Sequence, residues 1–349
     1  MADLSTRTEN GTIPALRWEE PPEGPVLVLL DQTRLPHDEV ELVCTDVQAL
    51  VAGIRSLAVR GAPLLGLAGA YGVALAAARG YDVEDAAELL AHARPTAVNL
   101  GYGVRRAIDA YRQAAPDQAA AAALAAARGL HAEDAAASAA MAEYGGRLLA
   151  ELIPGGGYRI LTHGNTGALI SGGEGTALGV VLAAHRSGEL RRLWVDETRP
   201  MLQGARLTSY EAARAGMPYT LLVDGAAGSL VTAGEVDAVL VGADRIAADG
   251  ATANKVGSYP LAVLAAYHHV PFIVVAPTTT VDLGTPDGAS IEVEHRPGSE
   301  VTDLAPSPLG TQAYNPAFDV TPPELITAIV TENGVVSPVM AENLAAVCG

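Results

Sequence analysis

The stretch YRILTHGNTGAL, residues 158–169, sets a β-branched apolar run against a turn of small residues and then resumes with apolar ones. Strands buried on both faces of a parallel sheet read this way, near-continuously apolar rather than alternating. The pattern recurs downstream in RRLWVD (191–196), MPYTLLVDG (217–225), VDAVLVGAD (236–244) and VPFIVVAP (270–277). Helix-like segments fall between these runs, at Thr176–Arg186, Gln203–Ala215, Ala226–Ala233 and Asn254–His268. Strand–helix alternation at this spacing predicts a doubly wound parallel sheet with right-handed crossovers.

Upstream the pattern changes. A small β segment is expected around Leu16–Arg34, and from about Asp46 to Leu152 the chain is Ala-rich with helical period. Pro63 and Pro95 stand where helices restart, since proline suits a first helical turn, and the Ala119–Ala127 tract reads as helix. The fold class is therefore α/β. A helical N-terminal domain covers 1–152, and a Rossmann-like parallel-sheet domain covers 153–349. Within the latter, Leu283–Gln312 is rich in Gly, Pro, Asp and Ser and reads as a surface excursion. Thr321-Pro-Pro-Glu324 has the form of a capping box with proline at the helix start, which predicts a helix to Asn333 that stops at Gly334.

The chain has 349 residues, 49% of them apolar, with 40 acidic against 22 basic residues and a formal net charge of −18. Polyanions and anionic membranes need basic faces, so no nucleic-acid or membrane partner is expected. A small anion held by a few local arginines remains compatible with that balance. Two cysteines, Cys44 and Cys348, imply no disulfide framework. The first ten residues lack the apolar core of a secretion signal. An uncharged run rich in Ala and Gly, Ala62–Ala78, has 17 residues, short of the roughly 20 apolar residues a bilayer requires. It reads as a buried helix in a soluble, cytoplasmic protein.

In an open parallel sheet, ligands bind outside the carboxyl ends of the strands. Those ends carry HGNTG (163–167), DETRPMLQGAR (196–206) and GADRI (242–246). Asp244 follows the apolar run VDAVLVG, where partial burial would raise its pKa toward a value useful in proton transfer; a salt bridge to Arg245 or a neighbouring loop is the structural alternative. Asn254 and Lys255 are expected at a helix start, where backbone donors, the helix dipole and an ammonium together favour an anion. Gln203 can hydrogen-bond a sugar hydroxyl or cap its helix. Arg60-Gly61-Ala62-Pro63 places a guanidinium before a helix start, and Arg94-Pro95 is a second such junction; a solvated arginine is the plainer reading of each. His163 is an acid–base candidate, or a hydrogen-bonded structural histidine. The sequence has no phosphate-binding Walker loop, dinucleotide Gly-rich turn or zinc constellation, so the expected chemistry is proton transfer on a phosphorylated small molecule with no cofactor and no metal.

These residues resemble the methylthioribose-1-phosphate isomerase family, within the superfamily that includes regulatory subunits of the translation-initiation guanine-nucleotide exchange factor. The resemblance rests on LLDQTRLP (29–36), VRGAPLLG (59–66), RPTAVNL (94–100), LTHGNTGAL (161–169), GTALGV (175–180), VDETRPMLQGARLTSYE (195–211), VGADRIAADG (241–250), ANKVGSYPLA (253–262) and YNPAFDVTPPELITAIVTE (314–332). It implies a homodimeric aldose–ketose isomerase of methionine salvage that converts 5-methylthioribose 1-phosphate to the ribulose 1-phosphate. The family's substrate-binding pattern falls on Arg60, Gly61, Ala62, Arg94, Gln203, Asn254 and Lys255, and its catalytic aspartate on Asp244. The family's turn reads T-H-C-N-T-G, with the cysteine its second catalytic group, and Gly164 stands at that position here. Two other readings follow from this departure and from the substrate class: a sugar-phosphate-binding homologue with impaired catalysis, and an isomerase of another 5-modified ribose 1-phosphate.

Overall fold

The computed structural model describes residues 14–94, 97–304 and 307–349; the helix restart expected at Pro95 lies outside the described residues. Two compact units result, one reaching to Ala139 and including Gly167–Gly175, the other formed by Ala140–Thr166 and Thr176–Gly349.

The first unit opens with an antiparallel three-stranded sheet, β1 (Leu16–Glu19), β2 (Val26–Leu30) and β3 (Glu41–Cys44), whose central VLVLL strand is buried throughout. Helix α1 (Val47–Arg55) starts at Asp46, which accepts the Ala49 N–H at 2.8 Å and so satisfies one of the helix's orphan donors. Helix α2 coincides with the uncharged run, Ala62–Ala78, and is buried from Pro63 to Ala76. Such a helix, apolar on every side, is stable only inside a core. Helices α3 (Val83–Ala91) and α4 (Val98–Gln113) follow, and α5 (Ala119–Leu152) continues past Ala139 into the residues of the second unit.

Glycines let α2 and α4 approach closely. A Cβ at Gly103 would stand 1.8 Å from the carbonyl oxygen of Gly66, and one at Gly69 would stand 2.9 Å from that of Leu100. Replacing Gly103 by alanine improves local helix propensity by up to about 1 kcal/mol but forces the helices apart, for which overpacking costs of about 1–3 kcal/mol are usual. Gly103→Ala is expected to lower stability by about 2 kcal/mol in a denaturant titration; an unchanged midpoint would mean that the helices separate freely.

The segment Gly167–Gly175 is fastened within the same unit. Gln32 Nε2 donates to Leu169 O at 2.6 Å, Asp134 Oδ2 accepts from Ser171 Oγ and the Gly172 N–H at 2.7 and 2.6 Å, and Ser138 Oγ donates to Gly175 O at 2.6 Å.

The second unit is built on a seven-stranded sheet. Its chain order is β4 (Tyr158–Thr162), α6 (Ala177–Arg186), β5 (Leu190–Asp196), α7 (Ser209–Arg214), β6 (Tyr219–Leu222), α8 (Ala227–Thr232) and β7 (Ala238–Val241). A small four-stranded sheet takes β8 (Arg245–Ala247), β9 (Thr252–Lys255), β11 (Val281–Asp282) and β12 (Phe318–Thr321). Helix α9 (Ser258–Tyr267) leads back to β10 (Phe272–Val275) of the large sheet, which β13 (Ala328–Thr331) and β14 (Gly334–Val336) extend. A short helix, α10 (Ser299–Thr302), lies in the otherwise irregular excursion, and α11 (Ala341–Cys348) follows the last strand.

The large sheet runs β14-β13-β10-β7-β4-β5-β6, parallel except for β14. Leaving out β14, the parallel strands take the order 3-2-1-4-5-6 of the dinucleotide-binding fold, so the doubly wound expectation holds. After β6 the chain returns to place β7 on the other side of β4, which puts the switch point, and hence the ligand crevice, at the carboxyl ends of β4 and β7. Strands β7, β10 and β13 are buried throughout. Strand β6 is not, because it forms an edge.

Two expectations fail here. The helix predicted from Thr321 to Asn333 is a single 3-10 turn, Pro323–Leu325, followed by the β13–β14 hairpin. Thr321 ends β12, and the β-branched Ile326–Thr331 run packs as a strand beside β10. The helix expected to start near Asn254 begins at Ser258; Asn254 and Lys255 belong to β9.

Arg159 on β4 ties the base of the sheet to Asp237, just before β7. Its backbone N–H donates to Asp237 Oδ2 at 2.8 Å, Nε to the same oxygen at 3.0 Å, and Nη2 to Oδ1 at 2.5 Å. Burial pushes the Asp237 carboxyl up, but the hydrogen bonds and charge of Arg159 outweigh it and hold the group below the usual carboxylate range. A lowered folded-state pKa contributes stability above the unfolded-state value, near 3.9, and that stability is lost as pH falls through the folded-state pKa. Asp237→Asn is expected to cost about 1–2 kcal/mol at pH 7, with the gap to wild type closing as pH falls below the unfolded-state value and through the lowered folded-state pKa. A gap that does not vary with pH would contradict the assignment.

Candidate active site

The turn after β4 lies at the switch point, and Gly164 occupies its tip with φ +80°, in the left-handed region that glycine enters at no steric cost. Both sides of Gly164 are held by threonine hydroxyls. Its N–H donates to Thr198 Oγ1 at 2.9 Å, and its carbonyl accepts from Thr208 Oγ1 at 2.6 Å. A Cβ built on Gly164 meets one neighbour within 4 Å, the Cβ of Lys255 at 3.8 Å. The tip of the turn therefore faces Lys255 with room for a small side chain.

His163 is buried with both ring nitrogens engaged, Nδ1 at 2.9 Å from Asp196 Oδ2 and Nε2 at 2.8 Å from Val256 O. A carbonyl only accepts, so Nε2 carries a proton. Burial pushes the imidazole toward its neutral form, but the hydrogen bond and charge of Asp196 outweigh it and the pKa is raised. Burial also raises Asp196, against the pull of His163. The geometry supports the structural reading of His163: it fastens the end of β4 to the end of β5 and to the residue after Lys255.

The loop after β5 is strained. Thr198 has φ +63° and Leu202 φ +55°. A non-glycine residue in this region costs about 1–3 kcal/mol and persists only where its surroundings over-determine it. Asp224 provides part of that determination, accepting the Thr198 and Arg199 N–H groups at 2.7 and 2.8 Å. Gly204 is packed so closely that a Cβ would lie 1.7 Å from Asp196 O. It opens a π-helical turn, Gly204–Thr208, a form found frequently at functional sites. Gln203 immediately precedes it, buried, with Oε1 lacking a hydrogen-bond partner among the described residues and no cap bond from its side chain. The capping alternative is thereby removed, and an acceptor is left for a hydroxyl.

Asp244 sits between β7 and β8, half-buried, with its N–H donating to Ala253 O at 2.9 Å. Arg245 pairs with Asp282 at 3.8 Å. Asn254 is buried, donating from Nδ2 to Ser258 Oγ at 2.8 Å. Lys255 is half-buried rather than solvated: Nζ donates to Ala317 O at 2.7 Å and lies 5.1 Å from the centre of the Phe318 ring. The anion-site argument for these two residues changes accordingly, because they stand on a strand and not at a helix start. The start of α9 is held by Asp319, which accepts the Gly257 and Tyr259 N–H groups at 2.7 and 3.0 Å. Burial pushes that carboxyl up, against those two bonds.

The second unit thus brings Gly164, Gln203, Asp244, Asn254 and Lys255 onto neighbouring segments around the ends of β4, β5 and β7. Arg60, Gly61, Ala62 and Arg94 belong to the first unit. There, Gly61 precedes α2 with φ +91°, and a Cβ on it would meet Ile170 at 2.4 Å, so only glycine fits. Thr198, Thr208, Asp224 and Asp319 were absent from the residue-based shortlist. The one available signal was the density of hydrogen-bonding side chains in DETRPMLQGARLT.

His163, Asp196 and Asp224 each offer an atom within 4.8 Å of the others, a spacing that could hold a metal ion. Both His163 nitrogens, both Asp224 oxygens and Asp196 Oδ2 already serve hydrogen bonds that hold the turn, while Asp196 Oδ1 has no hydrogen-bond partner among the described residues. Burial pushes the Cys44 and Cys348 thiols up to about 11, with Asp46 and Glu332 adding to the effect. Neither is a thiolate at neutral pH.

Residues 58–338 match the model of the initiation factor 2 subunit family. Methylthioribose-1-phosphate isomerase of Anaeromyxobacter sp. (strain K) is 53% identical over 323 residues, 91% of this chain and 92% of that one. The protein of the same name from Thioalkalivibrio sulfidiphilus (strain HL-EbGR7) is 49% identical over 336 residues, 93% and 94% of the two chains. Among solved structures, 5-methylthioribose 1-phosphate isomerase from Pyrococcus horikoshii OT3 superposes with a TM-score of 0.87 at 36% identity, covering 99% of both chains. Translation initiation factor eIF-2B, subunit delta, from A. fulgidus superposes with a TM-score of 0.82 at 39% identity, covering 97% of this chain and 99% of that one. By sequence and by fold, this chain belongs to the methylthioribose-1-phosphate isomerase family, within the initiation factor 2 subunit family.

Proposed function

We propose that the chain is an aldose–ketose isomerase converting 5-methylthioribose 1-phosphate to 5-methylthioribulose 1-phosphate in methionine salvage, as a homodimer in the cytoplasm. Half-buried Asp244 and Lys255, at the switch point beside the Gly164 turn, are the observation that carries this reading. Among the described residues, no helix is long and apolar enough to cross a membrane.

The chemistry sets what the residues must do. A phosphate on C1 prevents opening to a free aldehyde, so the ring opens as hydrogen moves from C2 to C1. In balance, the C1–O4 bond breaks, O4 gains a proton, O2 loses one, and C2 becomes the ketone. Asp244, half-buried and fixed through its N–H, is the group assigned to proton transfer. Lys255 and Asn254 bind from β9, and Gln203 offers its acceptor to a sugar hydroxyl; the family resemblance also assigns Arg60, Gly61, Ala62 and Arg94 to substrate binding. With glycine at 164, the second transfer has no side chain at the family's position. That observation favours a second reading, a sugar-phosphate-binding protein with impaired turnover.

One pair of measurements separates the two. Phosphorus NMR with 5-methylthioribose 1-phosphate should show the ketose phosphate forming, and calorimetry should show binding. Binding without turnover at saturating substrate would support the impaired homologue, and neither would overturn both readings.

A further inference from the structure

Thr198 combines three features that do not occur together by local preference. It is β-branched, it lies in the left-handed region at φ +63°, and its hydroxyl is used in both directions. Gly and Asn are the residues that enter this region readily; a loop needing only the turn would be served by either. Threonine adds the hydroxyl, which donates to Asp196 O at 3.0 Å and accepts the Gly164 N–H at 2.9 Å. The residue is held from every side: Asp224 takes its N–H, its carbonyl accepts the Leu202 N–H at 2.8 Å, and a Cβ on Gly204 would lie 2.8 Å from its Oγ1.

We propose that Thr198 is a positioning residue of the site: its hydroxyl links the end of β5 to the Gly164 peptide and so sets where the turn stands beside Lys255. This rests on the isomerase reading. Thr208 holds the same residue through its carbonyl, in the following peptide, and His163, the preceding residue, is anchored to Val256. Thr198 supplies the hydrogen bond to the Gly164 N–H, so its loss lets the tip rotate while the rest of the turn stays fastened. Small displacements of a reacting site cost rate more than affinity.

The test compares Thr198→Val, which keeps the size and the branch but loses the hydroxyl, with Thr198→Ser, which keeps the hydroxyl. With 5-methylthioribose 1-phosphate as substrate, Val should lower kcat by about 10- to 100-fold with KM within about threefold, and Ser should stay within about threefold of wild type. Amide exchange at Gly164, followed by NMR on nitrogen-labelled protein, should be protected in wild type and Ser and fast in Val. A Val variant that turns over like wild type, or a Ser variant that falls as far as Val, overturns the proposal. Absence of turnover in wild type itself would count against the isomerase reading instead. Amide exchange then decides the role of Thr198, and equal Gly164 protection in all three proteins overturns it.

Discussion

Asp244→Asn is expected to lower kcat by about 10²–10⁴-fold, the range typical for loss of a general acid or base, while leaving KM within a few-fold and thermal stability nearly unchanged. The side chains are the same size, and the backbone that places them is pinned by the Asp244 N–H bond to Ala253 O. Asparagine therefore keeps the shape and cannot exchange a proton. The residue stands at the end of β7, a strand buried throughout, beside β4 at the switch of the sheet. Ligands to such a sheet lie within reach of that position. Steady-state kinetics on purified protein, with phosphorus NMR to identify the product, checks the expectation. A kcat within tenfold of wild type would remove Asp244 from the reaction and shift attention to another proton carrier.

The second large effect has the opposite sign. Gly164→Cys is expected to raise kcat by about 100-fold, because a thiol at this position supplies the second group that the family resemblance places there. Space permits it, since the added Cβ makes an ordinary 3.8 Å contact with the Lys255 Cβ. The backbone opposes the change: φ +80° costs a side chain about 1–3 kcal/mol, so the melting temperature should fall by several degrees. Gly164→Ala is the control, carrying the same strain without the thiol. It should lose stability equally and gain no rate. If Ala and Cys behave alike in turnover, position 164 carries no proton in this enzyme.

The sequence made some parts of the molecule legible and concealed others for identifiable reasons. Helix α2 could be read to the residue because an uncharged run bounded by Arg60 and Arg79 has one buried solution. Strands β7 and β10 were legible because buried parallel strands are apolar without alternation. The β13–β14 hairpin was misread because Thr321-Pro-Pro-Glu324 imitates a helix start. The competing signals were the β-branched run before it and Asn333-Gly334, a strong hairpin pair. Asn254 was taken for a helix start because the strand that pairs with it and with Lys255 is remote: Asp319 lies opposite Asn254, and Phe318 opposite Lys255. The same distance hid the supporting shell of the site. Thr198 reaches Gly164 across 34 residues, and Asp319 reaches Gly257 across 62. Local patterns singled out Asp244, Asn254 and Lys255 as candidates, whereas the contacts of Thr198 and Asp319 depend on pairings that no local window contains.

The segment Gly167–Gly175 has a consequence for synthesis. A chain leaves the ribosome from its N-terminus, and domains fold as their residues emerge. Gln32, Asp134 and Ser138 are made before the loop they fasten, and all of β4 is made in between. The helical unit must therefore wait, with those side chains lacking the partners the loop supplies, until residue 175 has cleared the exit. A nascent chain halted at Leu152 would hold a nearly complete helical core without the loop that these side chains fasten, and is a poor place to cut the gene.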